Sequence, residues 1–169
     1  MKLLFATSNK NKLVEIQKML PSEIELLSLE DINLKTDIPE TSSTIEGNAK
    51  QKSDYILEHF GIDCFADDTG LEVDALNGEP GVFSARYAGE DKDDAKNRQL
   101  LLKNLTDVIN RKARFKTVIS LEFKGSNYLF EGIVEGEITN KEKGDKGFGY
   151  DSIFIPENHD LTFKLVFYY

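Results

Sequence analysis

Phe65-Ala66-Asp67-Asp68-Thr69-Gly70-Leu71 places two adjacent carboxylates between a short apolar run and a Thr-Gly pair. Residues 62–66 predict a short buried strand, and the two acids predict a sharp turn at its end. Carboxylates at a strand end are displayed at the edge of an open α/β sheet, where such sheets bind ligands. Mg²⁺ binds one or two such carboxylates together with substrate phosphates. The stretch therefore indicates either a metal site or a solvated acidic turn.

The composition predicts one folded domain over residues 1–169, in which 40% of residues are hydrophobic and 30% are charged. No run is long enough to span a bilayer, and no secretory signal is seen. Cys64 is the only cysteine, so we expect no intrachain disulfide and a cytoplasmic location. The net charge of −9 argues against a DNA- or RNA-binding surface. A metal ion and a few lysines would still allow a phosphate ligand.

A polar turn follows the first predicted strand. Residues 2–6 form a short apolar run that predicts a buried strand. Leu13, Ile16 and Leu20 then recur at helical spacing, and Pro21 ends the helix. In such a strand-to-helix turn, unbonded backbone N–H groups and the helix dipole favour an anion. The polar side chains of this turn are Thr7, Ser8, Asn9, Lys10, Asn11 and Lys12. The alternative is a solvated helix cap with surface lysines.

A second helix is predicted from about residue 43 to residue 59. Ser43-Thr44-Ile45-Glu46 fits a capping box, and Gly61 marks the C-terminal end. Asn48 and Lys52 are four positions apart and therefore share a face of this helix. Glu40 lies just before the helix, so we expect it near the same end of the fold. Each of these polar residues could also be a solvated surface residue.

The remaining chain predicts further strands and one more helix. Residues 71–76 alternate with period two and predict a half-buried strand, and residues 91–105 have helical composition. Residues 115–123 and 128–134 predict a β-hairpin. Residues 152–155 predict a last strand.

A glycine-rich segment with two aromatic residues precedes that last strand. It reads Gly147-Phe148-Gly149-Tyr150-Asp151. Glycines let the backbone approach a ligand closely, and an exposed Phe148 would offer a flat face to a nucleobase. The alternative is a tight loop whose two aromatic rings pack into the core.

Five motifs together resemble the inosine triphosphate pyrophosphatase family, and they occur in the family's order from Leu3 to about Phe163. The matching stretches are Thr7-x-Asn9-x-x-Lys12, Glu40-Thr41 with Glu46-Gly47-Asn48-Ala49-x-x-Lys52, Ala66-Asp67-Asp68-Thr69-Gly70-Leu71, Gly81-Val82-Phe83-Ser84-Ala85-Arg86-Tyr87 and Gly147-Phe148-Gly149-Tyr150-Asp151. The resemblance implies an α/β fold with a long mixed β-sheet and flanking helices, in two lobes around a central nucleotide-binding cleft. It also implies Mg²⁺-dependent hydrolysis of ITP, dITP and XTP to the monophosphate and pyrophosphate, a reaction that removes these triphosphates from the nucleotide pool. The resemblance further implies that the protein is a homodimer.

The resemblance also implies a role for each matching residue. Asp68 would activate the attacking water and, with Glu40, bind Mg²⁺, while Lys52 would neutralise phosphate charge. The residues implied to bind the triphosphate are Thr7, Ser8, Asn9, Lys10, Asn11 and Lys12, with Thr69 also contacting substrate. Those implied to hold the base are Phe148, Gly149, Tyr150 and Asp151. Chemistry alone does not decide between Asp67 and Asp68 as the base.

The sequence departs from the family pattern near its last residues. The resemblance implies a lysine and a Ser-His-Arg motif that read the base, whereas Lys164-Leu165-Val166-Phe167-Tyr168-Tyr169 stands here. Ser152 also stands where proline is usual. The phosphate and metal half of the site is thus expected to be present and part of the base-reading half to be missing. We therefore expect low turnover and poorer discrimination of ITP over ATP than the family pattern implies. The alternative function is a catalytically weak or altered-specificity nucleotide-binding protein.

Overall fold

Strands and helices alternate along the chain in a mixed α/β order, which confirms the predicted fold class. The computed structural model describes residues 1–144 and 147–166. Its elements are β1 (Lys2–Phe5), α1 (Lys10–Met19), β2 (Glu25–Leu27), α2 (Ile45–Phe60), β3 (Cys64–Val73), β4 (Pro80–Gly81), α3 (Asp94–Asn104), β5 (Lys112–Phe123), β6 (Ser126–Ile138), β7 (Phe154–Pro156) and α4 (Phe163–Val166). Short 3₁₀ turns occupy Asp74–Leu76 and Ser84–Arg86.

The strands form a long mixed sheet, as predicted. Their order is β2-β1-β3-β5-β6-β7, with β4 paired to β3. The parallel pairs join β1 to β2 and to β3, with Leu4 opposite both Leu27 and Cys64. The pairs β3–β4 and β6–β7 are antiparallel. The parallel strands belong to βα connections, in which a helix returns the chain to the start of the next strand.

The chain divides into two compact units. The first unit comprises Met1–Asp68 and Thr117–Glu131, and the second comprises Thr69–Lys116 and the described residues from Gly132 onward. Strands β3, β5 and β6 each pass from one unit into the other along the chain. The predictions of a single domain and of a central cleft stay predictions.

The strands of the first unit present apolar side chains to both of its helices. One core cluster includes residues of α2 and comprises Leu4, Ala6, Leu29, Ile56, Cys64 and Ala66. The other reaches α1 and includes Leu3, Phe5, Phe65, Leu13 and Ile16. Within this second cluster the Phe5 and Phe65 rings stack with their centroids 4.4 Å apart. Alternate strand residues thus pack on different helices, as a period of two requires.

Strand β3 corrects the expectation of a turn at the acidic pair. Asp67, Asp68, Thr69 and Gly70 all lie within the ten-residue strand Cys64–Val73, and the chain turns only at Asp74–Leu76. Asp-Asp-Thr-Gly favours a turn when it is exposed to water. Here each carboxylate has a lysine partner from a helix, which keeps the extended conformation favourable.

The other predicted elements are found with shifted boundaries. Helix α2 begins one residue later than the predicted capping box, because Thr44 rather than Ser43 is the N-cap and its hydroxyl accepts from Gly47 N at 3.0 Å. Its C-terminal Gly61 has a φ of +63°, in the left-handed region that glycine adopts readily. The hairpin of β5 and β6 is longer than predicted, while β7 is shorter.

One sequence expectation falls partly outside the described residues. The final segment is described only as far as Val166, whereas the glycine-rich segment Gly147–Asp151 is described in full. In the described ranges, the helices are too short or too polar for any of them to serve as a bilayer span.

Candidate active site

Asp67 and Asp68 are adjacent on β3, so their side chains point to opposite faces of the strand. The residues two positions before each of them already pack on α1 and on α2, respectively. Asp67 accordingly forms an ion pair with Lys12 of α1, whereas Asp68 forms one with Lys52 of α2. The strand geometry therefore gives the two carboxylates different partners. The chemistry of the residues alone did not distinguish Asp67 from Asp68.

Asp68 lies in a polar cluster with residues of helix α2. Asn48 Nδ2 donates to Asp68 Oδ2 at 3.3 Å, and Lys52 Nζ donates to Asp68 Oδ1 at 3.4 Å. The same ammonium donates to Glu40 Oε1 at 2.5 Å. Asn48 is itself fixed, because its Oδ1 accepts from Ser42 N at 2.9 Å. Two carboxylates thus converge on one nitrogen, and we call Glu40, Asn48, Lys52 and Asp68 the carboxylate cluster.

Burial and neighbouring charges shift the pKa values of the carboxylate cluster in opposite directions. Desolvation lowers the pKa of Lys52, but the negative charges of Asp68 and Glu40 outweigh it, so the pKa of the ammonium is raised. At Asp68, desolvation raises the pKa of the carboxyl group, and the opposing Lys52 charge does not cancel this. Lys52 is therefore charged at neutral pH, and Asp68 accepts a proton more readily than an exposed aspartate does.

Lys12 and Asp67 form a second ion pair at the start of α1. Their side chains are only 24% and 9% exposed. The Lys12 charge also acts on Asp68, where it lowers the pKa to a smaller extent than the Lys52 charge does. The first unit therefore gathers two ammonium groups and three carboxylates around this part of β3.

The turn over residues 7–12 is capped largely by its own side chains. Asn9 Oδ1 accepts from Asn11 N at 2.9 Å and from Lys12 N at 3.3 Å. Thr7 Oγ1 accepts from Asn9 N at 3.2 Å. The prediction that backbone N–H groups of this turn are unbonded is therefore wrong for these three amides. The helix dipole still favours an anion at this end of α1.

A cavity of about 650 Å³ adjoins the same turn, within the size range of small-molecule sites. Its lining includes Thr7, Ser8, Asn9 and Lys10, together with side chains between Ser28 and Asp37. Lys10 extends into solvent and lies 3.7 Å from Glu30. Asn11 is exposed, and its side chain is not part of this lining. Four of the six polar residues predicted to bind the triphosphate therefore border one cavity.

The second unit contains the other predicted site residues. Thr69 follows Asp68 on β3 and is partly buried. In the glycine-rich loop, Phe148 N donates to Asp151 Oδ2 at 3.1 Å, which closes a tight turn. The Phe148 residue remains partly exposed. The loop is therefore a tight turn in which Phe148 keeps some contact with solvent.

Tyr150 serves the core of the second unit. Its side chain belongs to a buried cluster with Leu71, Leu101 and Phe154. Its hydroxyl donates to Ser84 O at 2.8 Å. Burial raises the pKa of this phenol well above its ordinary value. The predicted contact of Tyr150 with the base is thus restricted to its main chain, and the core-packing alternative is correct for the ring.

The carboxylate cluster suits a hard divalent cation. Glu40 and Asp68 offer oxygen atoms close together, because both contact Lys52 Nζ. Over residues 1–144 and 147–166, no three acidic, histidine or cysteine side chains form a complete cage. Mg²⁺ commonly binds through one or two carboxylates, with water and substrate phosphates completing its shell.

Three site features were not predicted from the sequence. Asn48 was placed on the face of Lys52, but its contact with Asp68 was not foreseen. The Lys12–Asp67 pair has no local signal, because its members are 55 positions apart. Asp94 and Arg98 of α3 contact the main chain of Gly149. Only their spacing of four residues on one helix hinted at a shared partner.

Comparisons with known proteins identify the family of this chain. The sequence model of the Ham1 family matches residues 3–165. The dITP/XTP pyrophosphatase of Flavobacterium johnsoniae is 63% identical over 96% of this chain and 85% of its own length. The enzyme of the same name from Porphyromonas gingivalis is 48% identical over 96% of this chain and 84% of its own. The structure of the Staphylococcus aureus Ham1 protein superimposes with a TM-score of 0.89, at 38% identity, over 98% of this chain and 86% of that one. The resemblance drawn from five motifs is thereby confirmed, and the chain belongs to the Ham1 family.

Proposed function

We propose that this protein hydrolyses non-standard purine nucleoside triphosphates, ITP, dITP and XTP, to the monophosphate and pyrophosphate. Its relatives from Flavobacterium johnsoniae and Porphyromonas gingivalis carry the name dITP/XTP pyrophosphatase. The observation that carries the proposal is the contact of Lys52 Nζ with both Glu40 and Asp68. This contact supports the proposal because it brings together one ammonium group and two carboxylates, which could bind a metal ion and accept a proton.

The phosphate end of the substrate would be held in the first unit. Mg²⁺ bound by Glu40 and Asp68 would supply positive charge to the phosphate oxygens. Lys52, released from those carboxylates, would then donate to a phosphate oxygen, and Lys12 would add a second positive charge. Phosphoryl transfer depends mainly on such positioning and charge neutralisation. Thr7, Ser8, Asn9 and Lys10 would bind the triphosphate from the side of the cavity.

Asp68 would act as the general base. Its raised pKa makes it a suitable acceptor for the proton of a water molecule. That water attacks the α-phosphorus, the bond from this atom to the α–β bridging oxygen breaks, and pyrophosphate leaves. Asn48 holds Asp68 Oδ2 and so orients the carboxylate. Asp67 is paired with Lys12 and would not take this role.

The base would be held by the loop of the second unit. Phe148 would stack on the purine ring, and main-chain groups of Gly149 and Tyr150 and the Asp151 carboxylate would lie at its edge. Stacking of a base on an aromatic ring is worth about 1–3 kcal/mol. Thr69 would contact the substrate between the phosphates and the base.

We further propose that the protein is a homodimer that acts in the cytoplasm, where nucleotides are polymerised. Tyr128, Leu129 and Phe130 on β6 of the first unit are each about half exposed. No charged residue lies between Lys124 and Glu131. Tyr128 and Phe130 lie on one face of the strand and Leu129 on the other. Exposed apolar side chains of this kind indicate an interaction surface, which a second copy of the chain would bury. Sedimentation should give a dimer, and Leu129→Ser with Phe130→Ser a monomer; a monomeric wild type would contradict this.

The function is tested by following ITP hydrolysis with ³¹P NMR, with and without Mg²⁺. We expect IMP and pyrophosphate only when Mg²⁺ is present, and slower turnover of ATP than of ITP. Release of orthophosphate and IDP would contradict the proposed bond cleavage. Nucleotide binding without turnover would favour the alternative of a nucleotide-binding protein.

A further inference from the structure

Side chains of helix α3 bind both main-chain polar groups of Gly149, which lies in the glycine-rich loop Gly147–Asp151. Gly149 N donates to Asp94 Oδ2 at 2.7 Å, and Gly149 O accepts from Arg98 Nη1 at 2.8 Å. Asp94 and Arg98 are four residues apart, so they project from the same face of α3. Side-chain contacts to both polar groups of one loop residue fix its position as well as its orientation. We call this arrangement the Gly149 clamp.

Arg98 also links the loop to the chain on either side of it. Its Nε donates to Glu142 Oε2 at 2.9 Å, and the same oxygen accepts from Ser152 Oγ at 3.0 Å. The Arg98 side chain is only 14% exposed. A guanidinium can bind a carboxylate and a carbonyl at once because its donors form a rigid fork, which a lysine ammonium lacks. Ser152 joins the network at the position where proline is usual.

The helix that carries the clamp is itself anchored. Asn97 is buried, and its side chain donates to Ala85 O at 3.0 Å and accepts from Ala88 N at 2.7 Å. Gly149 has a φ of +54°, a conformation that L-residues adopt only at a cost. Hydrogen bonds between the main chain of the loop and an anchored helix stabilise this conformation. The clamp supplies that support directly beside Phe148.

We propose that Asp94 and Arg98 are positioning residues that set the affinity and selectivity for the base. They act through Gly149 and do not touch the nucleotide. The inference rests on the proposed function, in which Phe148 and its neighbours hold the purine. Loss of the clamp removes binding energy at the base equally in the ground and transition states, which raises KM and leaves kcat unchanged. Phosphate binding in the first unit is unaffected.

The test compares Arg98→Ala and Asp94→Ala with the wild type. We expect KM for ITP to rise about tenfold in both variants, the preference for ITP over ATP to narrow, and kcat to stay within about twofold. The inhibition constant of inorganic triphosphate, which has no base, should not change. In Asp94→Ala the Gly149 amide should also exchange with solvent faster, as measured by NMR.

Matched variants separate positioning from a purely structural role. Asp94→Asn keeps an acceptor for Gly149 N and should restore most of the affinity for ITP. Lys96→Ala, on the exposed side of the same helix, should behave as the wild type. Arg98→Lys keeps the charge and apolar stem but loses the fork, so it serves if Arg98→Ala does not fold. It should raise KM for ITP and leave triphosphate inhibition unchanged.

Two results would overturn the inference. One is an unchanged KM for ITP in folded Arg98→Ala and Asp94→Ala, whatever the amide exchange shows. The other is an equal loss of ITP and inorganic triphosphate binding, which would indicate general damage. A failure of the proposed function looks different, because the wild type itself would then show no turnover of ITP.

Discussion

The two units hold their functional residues by different means. In the first unit, ammonium and carboxylate groups face each other at Lys52 and Lys12, and each side chain is defined by its charged partner. In the second unit, the Phe148 loop is held by hydrogen bonds to its main chain and by the buried ring of Tyr150. A charge cluster suits a substrate end that carries several negative charges. A shaped loop suits a base, which carries none.

The largest expected effect comes from removing a charge in the first unit. Asp68→Asn keeps the shape of the side chain but removes the carboxylate that we propose as a metal ligand and as the general base. We expect kcat for ITP to fall by about 10² or more, which corresponds to roughly 3 kcal/mol of barrier. The measurement is steady-state turnover, with circular dichroism to establish that the variant is folded.

Asp54→Asn is the matched control for that variant. Asp54 lies on α2 and pairs with Lys50 at the surface, so its neutralisation should leave turnover unchanged. Near-normal activity in folded Asp68→Asn would reject Asp68 as the base and direct attention to Asp67.

Lys52→Gln removes the positive charge of the carboxylate cluster. Loss of a hydrogen bond from a charged donor costs about 1.5–3 kcal/mol, so we expect kcat/KM for ITP to fall between about tenfold and a hundredfold. At the same time, Glu40 and Asp68 lose their shared cation and should bind Mg²⁺ more tightly in the absence of nucleotide. Calorimetric titration with Mg²⁺ measures this. Weaker Mg²⁺ binding would mean that the two carboxylates do not form the metal site.

Phe148→Ala probes the second unit and should give a change of a different kind. If the ring stacks on the purine, its loss raises KM for ITP by about tenfold, within the 1–3 kcal/mol of a stacking contact, while kcat changes little. Steady-state kinetics with ITP separates the two constants. A fall in kcat with constant KM would contradict a stacking role.

Tyr150→Phe should give the smallest change. The variant keeps the buried ring but removes the hydrogen bond to Ser84 O. We expect a loss of about 1 kcal/mol in the free energy of unfolding, and a Tm lower by about 2–4 °C. KM for ITP should stay within about twofold, because the hydroxyl points into the core. Calorimetry and steady-state kinetics check the two statements, and a large rise in KM with an unchanged Tm would assign the hydroxyl to the substrate.

The sequence predicted those parts of the structure that depend on local patterns. Apolar runs identified β1 and the start of β3, and period-two alternation identified the end of β3 as far as Val73. The capping box and Gly61 bounded α2 to within two residues. The expected turn at Asp67 and Asp68 failed because local turn preference was outweighed by ion pairs with α1 and α2. A strand continued through both acids would have predicted their opposite directions.

Local sequence patterns could not predict contacts between residues that are far apart in the chain. Asp94 and Arg98 lie 55 and 51 positions from Gly149. Their spacing of four residues places both on one face of α3, but it does not show whether that face supports a loop or meets solvent. The Lys12–Asp67 pair is similar, because a lysine at a helix start is usually solvated. The residues of the carboxylate cluster were identified through motif order, and their mutual geometry required the fold.

The central claim is that the first unit binds the phosphates and the second unit binds the base. Competition by inorganic triphosphate against ITP tests it most directly. The inhibition constant is measured for the wild type, Lys52→Gln and Phe148→Ala under one set of conditions. If the first unit binds phosphates and the second binds the base, Lys52→Gln raises this constant about tenfold or more. Phe148→Ala leaves it unchanged while raising KM for ITP. An inhibition constant that rises in Phe148→Ala as much as KM does would contradict the account.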